Sequence, residues 1–380
     1  MKIVIDENIP QAKDAFENFG KIILLNGRKI TNEILSDAEI LLVRSITKVD
    51  ESLLNNTQIK FVATATAGTD HVDKDYLSSR KIVFTDAAGC NSYSVAEYFI
   101  SAILNISYKL KLSLENKSIG VVGIGNVGSK VVRFAKELGL NVFMNDPPLQ
   151  RANGKNGFVD LKEILNCDII TLHVPLNMAG IDKTFHLIDE REISDLKPGT
   201  ILINTSRGEV VNNQALKKRL MERRDLITVF DVWENEPLID FSLLELVSYG
   251  SAHIAGYSLE GKVNGTEIIY NKLCNYLNIS PAWKPKYPQI EKETIEFNNN
   301  GELCQNLLKT TNSIYDIEFD DGLLRDGINK NFEVQSKHFD LLRKNYRIRR
   351  EFNNYYLKLK SPTEELINKL KTFRFNVFNS

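Results

Sequence analysis

Residues 118–128 read SIGVVGIGNVG, and this segment limits the possible folds more than any other stretch of the chain. The apolar run 118–122 has the pattern of a buried strand. A G-x-G-x-x-G turn follows at Gly123, Gly125 and Gly128. Val127, Val131, Val132, Ala135 and Leu138 then recur at helical spacing, and a second apolar run occupies 142–144. A strand, a glycine turn, a helix and a second strand ending in an acid together predict a dinucleotide site in a doubly wound sheet. Gly123 permits the tight turn, Gly125 admits a pyrophosphate close to the backbone, and Gly128 allows helix and sheet to pack closely. The helix N-terminus offers amide hydrogens and a favourable dipole to phosphate oxygens. Asp146 lies 18 residues beyond Gly128, where a carboxylate accepts hydrogen bonds from ribose hydroxyls and repels a 2′-phosphate. Pro147 and Pro148 follow it, and the nearest cation is Arg151, so NAD is expected rather than NADP.

The same alternation of short apolar runs and helical stretches fills the first ninety residues. Runs at 2–5, 22–25, 40–43, 61–64 and 82–84 read as strands of a parallel sheet covered on both faces. A long helical stretch at 96–114 bridges into the glycine-turn domain, whose further strands fall at 169–172, 200–204, 227–232 and 249–251. Prolines at 281, 285 and 288 interrupt the pattern and mark a linker. A chain of 380 residues exceeds what one core usually serves, so two or three domains are expected. The formal net charge of −1 argues against a nucleic-acid binder. The N-terminus lacks a signal-peptide pattern, and no apolar run is long enough to span a membrane. Four scattered cysteines, Cys90, Cys167, Cys274 and Cys304, fit reduced thiols in a cytoplasmic protein.

Three polar residues follow strands of the glycine-turn domain, at the ends where ligands bind in open α/β sheets. They are Arg207 in NTSRG, Glu236 in DVWENEP and His253 in SAHIAG. A guanidinium grips a carboxylate in bidentate fashion, an imidazole takes or returns a hydroxyl proton, and a carboxylate on its other nitrogen fixes the tautomer. The trio therefore suits hydride transfer at the α-carbon of a 2-hydroxy acid. Each residue alone also has an ordinary reading, as a structural salt bridge or a buried donor. Asp231 either caps a turn or sits beside the cofactor ring. His173 lines the cofactor pocket or belongs to the core. His71, between Asp70 and Asp73, reads as part of a loop whose acids cap the next helix rather than as a metal site. His186 and His338 carry no assignment.

GIGNVG at 123–128, the acid at 146, HVP at 173–175, NTSRGEVV at 204–211, DVWENEP at 231–237 and SAHIAGYSLEG at 251–261 together resemble the D-isomer-specific 2-hydroxy acid dehydrogenase family. The resemblance implies that Arg207 binds the substrate carboxylate, Glu236 pairs with the histidine, and His253 is the acid/base. It implies NAD contacts at Gly123, Gly125, Asn126, Val127, Gly128, Asp146, Val174, Thr205, Ser206, Asp231 and Gly256. Segments at 41–54, 63–73, 87–98 and 339–351 narrow the likeness to a branch of the family placed in pyridoxal 5′-phosphate (vitamin B6) synthesis. That branch acts on a phosphorylated small 2-hydroxy acid. There Ser45, Thr66 and Tyr257 fall on substrate-contacting positions, with Arg44 a further candidate.

The fold this implies is α/β: a doubly wound Rossmann-type cofactor domain at 93–255, a flavodoxin-like substrate domain from 1–92 and 256–284, and a small C-terminal α+β dimerisation domain at 285–380. A hinge between the first two is expected to close over NAD. The terminal region is expected to make a homodimer through an amphipathic helix at 339–351, with positions 339, 342, 343 and 346 on one face. Arg349 or Arg350 is the expected phosphate ligand. Two competing readings share most of these features. One is a relative acting on phosphoglycerate or glyoxylate; the other is an NAD-sensing interaction protein.

Overall fold

Branched apolar residues with no polar alternation form strands only where both faces of a sheet are covered, and the chain builds two such sheets. The computed structural model describes residues 1–154, 157–298 and 300–379, and divides into two compact units. The first comprises Met1–Asn91 with Ser258–Ile290, and the second Ser92–Tyr257 with Glu291–Ser380.

In the first unit β1 (Lys2–Asp6), β2 (Lys21–Leu25), β3 (Ile40–Val43), β4 (Phe61–Thr64) and β5 (Val83–Asp86) form a wholly parallel sheet in the order β2-β1-β3-β4-β5. This is the flavodoxin-like winding. The inner strands β3 and β4 are buried throughout, whereas the edges β2 and β5 are partly exposed. The chain returns to this unit through the helix Leu259–Tyr276, whose first turn is capped by Ser258 Oγ accepting from Gly261 N at 2.8 Å. Ile269, Leu273 and Cys274 of that helix join the core with Ile3, Ile5 and Phe61. A Cβ on its Gly265 would lie 2.6 Å from Ala65 O, so only glycine lets the helix approach the loop after β4. The proline-bearing segment has no regular structure but is tied down. Trp283 Nε1 donates to Asp14 Oδ2 at 2.8 Å, and Tyr270 OH accepts from Ala282 N and Trp283 N, each at 3.0 Å.

The second unit holds β6 (Ser118–Val122), β7 (Asn141–Asn145), β8 (Ile169–Leu172), β9 (Ile201–Asn204), β10 (Ile227–Phe230) and β11 (Tyr249–Gly250), all parallel. Their order is β11-β10-β9-β8-β6-β7. An isolated parallel bridge between Met144 and Phe158 stands outside β7, where the third strand of a Rossmann sheet belongs. The helix Ser92–Leu110 is buried over most of its surface. It shares one core with β6 and with Leu307, Phe352, Leu357, Leu359, Leu370 and Phe373 of the terminal region.

The terminal region carries its own parallel sheet, with β13 (Tyr356–Leu359) between β12 (Thr294–Glu296) and β14 (Asn376–Asn379). By contact it groups with the second unit. The common core is the physical reason. The expected helix at 339–351 is also displaced: it runs Phe332–Lys344, begins at an Asn331 cap, and stops before Tyr346. Beyond Asn345, Tyr346 and Arg347 bond Asp320 while Arg349 bonds main-chain carbonyls elsewhere, and a continued helix would not direct them this way.

Candidate active site

The glycine turn is built as its spacing requires. Gly123 has φ +85°, and a Cβ there would lie 2.6 Å from His173 O. A Cβ on Gly128 would lie 1.9 Å from Gly123 O, so the helix Gly128–Glu137 starts directly on the turn. Gly125, in contrast, has no neighbour within 4 Å of a Cβ and is exposed. That combination, a turn crowded behind and open in front, fits a pyrophosphate against the backbone. Asp146 Oδ2 accepts from Ile124 N at 2.8 Å, and Oδ1 caps the helix Pro147–Asn153 through Leu149 N at 2.9 Å. The carboxylate is thereby held beside the turn, with oxygen lone pairs left for ribose hydroxyls. Arg151 is paired with Asp182 and does not neutralise it.

His173 is half-buried behind this turn. Its ring nitrogens meet Thr171 Oγ1 at 2.9 Å and Thr205 Oγ1 at 3.2 Å. Burial lowers its pKa to about 3, so it is neutral at ordinary pH. Val174 also borders the turn, its Cγ1 lying 2.9 Å from a Cβ placed on Gly123.

His253 and Glu236 form a bonded pair. His253 Nδ1 lies 2.7 Å from Glu236 Oε2, and Glu236 Oε1 accepts from Trp233 N at 2.9 Å. An ionised carboxylate only accepts, so Nδ1 carries the hydrogen and Nε2 is left for a substrate. Burial alone would raise the Glu236 carboxyl. The charge of His253, its hydrogen bond, the charge of Arg343 and the Trp233 amide together hold it below its ordinary value.

His253 has φ +54°, a left-handed conformation that a non-glycine residue keeps only when its surroundings enforce it. Asp231 does the enforcing. Its carboxylate accepts from Ser251 Oγ at 2.6 Å, Ile254 N at 2.7 Å and Ala255 N at 3.0 Å, and its main-chain oxygen accepts from His253 N at 2.7 Å. Burial raises its pKa against the opposing pull of His253 and these donors.

Arg207 is half-buried after β9. Its Nη1 donates to Ser206 O at 2.7 Å, while Asn204 Nδ2 donates to Arg207 O at 2.9 Å and Asn204 Oδ1 accepts from Ser206 N at 3.1 Å. A Cβ on Gly208 would lie 1.9 Å from the main-chain carbon of Trp233. Glycine therefore brings the Arg207 loop against the loop that carries Glu236.

In the first unit, exposed Ser45 and half-buried Arg44 follow β3, and Arg44 Nη1 donates to Asn8 O at 3.0 Å. Thr66 follows β4, where its Oγ1 lies 2.7 Å from Thr64 Oγ1 and donates to Gly68 O at 2.9 Å. Asp73 caps the helix Lys74–Ser79 by accepting from Tyr76 N at 2.9 Å, the loop role expected for that acid.

Two terminal arginines stand elsewhere than expected. Arg349 is buried over the Tyr315 ring, its Nη2 donating to Ser94 O at 2.9 Å and Ala255 O at 2.6 Å. Arg350 is also buried and donates to Asn354 Oδ1 at 2.9 Å. Interior contacts hold both side chains. The cation that approaches the site is Arg343, whose Nη2 donates to Tyr257 OH at 3.1 Å. The sequence alone places it only on a helix face, because Tyr257 lies 86 residues away.

Comparison with known proteins agrees with this geometry. Residues 103–255 match the model of the D-isomer specific 2-hydroxyacid dehydrogenase, NAD binding domain, and residues 287–372 match a domain of unknown function. An erythronate-4-phosphate dehydrogenase of Hahella chejuensis is 43% identical over 379 residues, spanning 99% of each chain. One of Tolumonas auensis is 42% identical over 370 residues, 97% of this chain and 98% of that one. The fold of NAD+-bound 3-phosphoglycerate dehydrogenase from Entamoeba histolytica superposes with a TM-score of 0.62 at 24% identity, over 73% of this chain and 95% of that one. A Rossmann-type NAD domain with an arginine loop and a histidine–carboxylate pair defines a dehydrogenase of the D-isomer-specific 2-hydroxy acid class. Within that class, the chain belongs to the erythronate-4-phosphate dehydrogenase family.

Proposed function

We propose that the chain oxidises 4-phospho-D-erythronate at C2 to 2-oxo-3-hydroxy-4-phosphobutanoate, a step toward pyridoxal 5′-phosphate. The observation that carries the chemistry is the 2.7 Å His253–Glu236 pair on a loop clamped by Asp231. Arg207 grips the C1 carboxylate and presents C2. His253 Nε2 takes the proton of the C2 hydroxyl, and the Glu236 carboxylate stabilises the imidazolium that results. NAD, if held at the glycine turn, would supply the acceptor for the hydride that leaves C2. Two hydrogens thus leave the carbinol, one as a proton and one with its electron pair, and a ketone remains. Thr205, Ser206 and Gly256 complete the cofactor contacts beside Gly123, Gly125, Asn126, Val127, Gly128, Asp146 and Val174. Ser45, Thr66 and Tyr257 offer hydroxyls to a polyhydroxylated substrate, with Arg44 nearby in sequence.

A second copy of the chain is the proposed partner. Phe319 and Leu341 line one hollow of the terminal region and are each 52% exposed, apolar area suited to a homodimer contact. Four cysteines outside any disulfide suit a reducing cytoplasm, and among the described residues no helix is long and apolar enough to cross a membrane. The deciding experiment is NADH formation with 4-phospho-D-erythronate against 3-phosphoglycerate, with a 2-keto acid added to regenerate tightly held cofactor. Clear preference for 4-phospho-D-erythronate is expected; equal or better turnover of 3-phosphoglycerate overturns the substrate assignment.

A further inference from the structure

The substrate proposed above carries two anions, and Arg207 serves only one. A phosphate at C4 lies at the far end of the chain from the C1 carboxylate, so it needs a separate cation. Several arginines of the terminal region are already neutralised or anchored: Arg325 by Asp321, Arg347 by Asp320, Arg374 by Glu97 and Glu351, and Arg349 by main-chain carbonyls.

Arg343 differs from these. It lies in the last turn of the helix Phe332–Lys344, half-buried, and forms no ion pair among the described residues. Its Nη2 donates to Tyr257 OH at 3.1 Å, and its guanidinium stands 5.6 Å from that ring's centroid. Its Nε is buried without a hydrogen-bond partner. A buried N–H left unmade is costly, and a planar fork with donors to spare matches a phosphate. Tyr257 follows directly on the His253 segment, with its N–H donating to Ile254 O at 2.8 Å, and Tyr346 packs edge-on against its ring. These contacts hold the guanidinium at the site's margin, close enough for its charge to act on Glu236.

We propose that Arg343 is the specificity-determining cation that binds the phosphate of the substrate, oriented by Tyr257. It comes from the segment matched by a domain of unknown function, so selection for a phosphorylated acid becomes a task of that segment. The inference rests on the substrate reading above, and the experiment separates the two. Arg343→Gln removes the charge while keeping a donor toward Tyr257, and Arg343→Lys restores a point charge without the fork. Kinetics are measured with 4-phospho-D-erythronate and with unphosphorylated D-erythronate. Binding of inorganic phosphate to the NAD-loaded enzyme is measured by calorimetry.

Loss of a charge-assisted bond predicts that Arg343→Gln raises KM for 4-phospho-D-erythronate about 10- to 100-fold, with a smaller change in kcat and NAD affinity retained. Efficiency on D-erythronate falls far less than on 4-phospho-D-erythronate, phosphate binding is lost, and Arg343→Lys falls between. Equal losses on both substrates, or no loss on either, overturn the assignment. Wild-type enzyme inactive on 4-phospho-D-erythronate overturns the substrate reading instead, and the phosphate titration still judges Arg343. If Arg343→Gln does not fold, Arg343→Lys carries the test: unchanged KM and phosphate affinity in that variant refute the bidentate contact.

Discussion

At the scale of single residues, the proposed chemistry rests on one hydrogen bond and the loop that aims it. Glu236 keeps its charge despite burial because His253, Arg343 and the Trp233 amide all favour the carboxylate. His253→Ala is expected to lower kcat about 10²- to 10⁴-fold with NAD affinity retained, as measured by steady-state kinetics and cofactor titration. Glu236→Gln keeps the shape but removes the charge that favours the protonated ring. The acidic limb of its kcat/KM profile is therefore expected to move to lower pH. A profile that coincides with wild type would show that the pair does not govern the proton transfer. Arg207, Glu236 and His253 were all readable from the chain, because each follows a strand of the glycine-turn domain. Asp231 was readable as an important acid, but not as the clamp on the His253 loop. Its four hydrogen bonds to residues 251–255 exist only once β10 and β11 lie side by side.

Elements meet where side chains are absent. The loop after β9 touches the Trp233–Glu234 backbone at Gly208, where a Cβ would overlap the Trp233 carbonyl carbon. Gly208→Ala must push one loop off the other. We expect a loss of stability of about 1–3 kcal/mol, the usual range for overpacking, measured by urea unfolding. Turnover is expected to fall more than NAD binding, since the displaced loops carry Arg207 and Glu236 rather than the glycine turn. Wild-type kinetics in that variant would mean that the loop contact does not set the arginine's position. The terminal helix shows the limit of reading periodicity. Apolar and cationic residues at 339, 342, 343 and 346 suggested one continuous face, yet the helix ends at Lys344 because later residues bond to groups lying in other directions.

Across the whole molecule, the terminal region is joined to the NAD domain through a buried charged cluster as well as a common core. Glu97, within the helix Ser92–Leu110, accepts from Phe352 N at 3.0 Å and from Arg374 Nη1 at 3.1 Å, while Arg374 Nη1 also meets Glu351 Oε2 at 2.7 Å. Burial raises the Glu97 carboxyl well above its ordinary value, and the neighbouring Glu351 adds to the effect against the pull of Arg374. A carboxyl raised in the folded state stabilises the fold fully below its unfolded pKa. That contribution is lost as pH rises through the folded value. Glu97→Gln, which cannot ionise, is expected to lose less stability than wild type as pH is raised across that window. Parallel melting curves from pH 5 to pH 8.5 check this; identical pH dependence of the two proteins would remove Glu97 as its source.

The sequence by itself determined the two parallel sheets, the glycine turn, the acid at 146 and the position of Arg207, Glu236 and His253 after strands of the NAD domain. Each is written locally, as a run of branched apolar residues, a required φ, or a polar residue placed at a strand's end. Tertiary structure alone decided that the terminal region shares the NAD domain's core, that Arg349 and Arg350 are interior anchors, and that Arg343 is the cation beside Tyr257. Nothing in the spacing of the cations distinguishes these three arginines. Their roles depend on which distant carbonyl, carboxylate or phenol the fold brings within hydrogen-bond reach, and those partners lie far away along the chain.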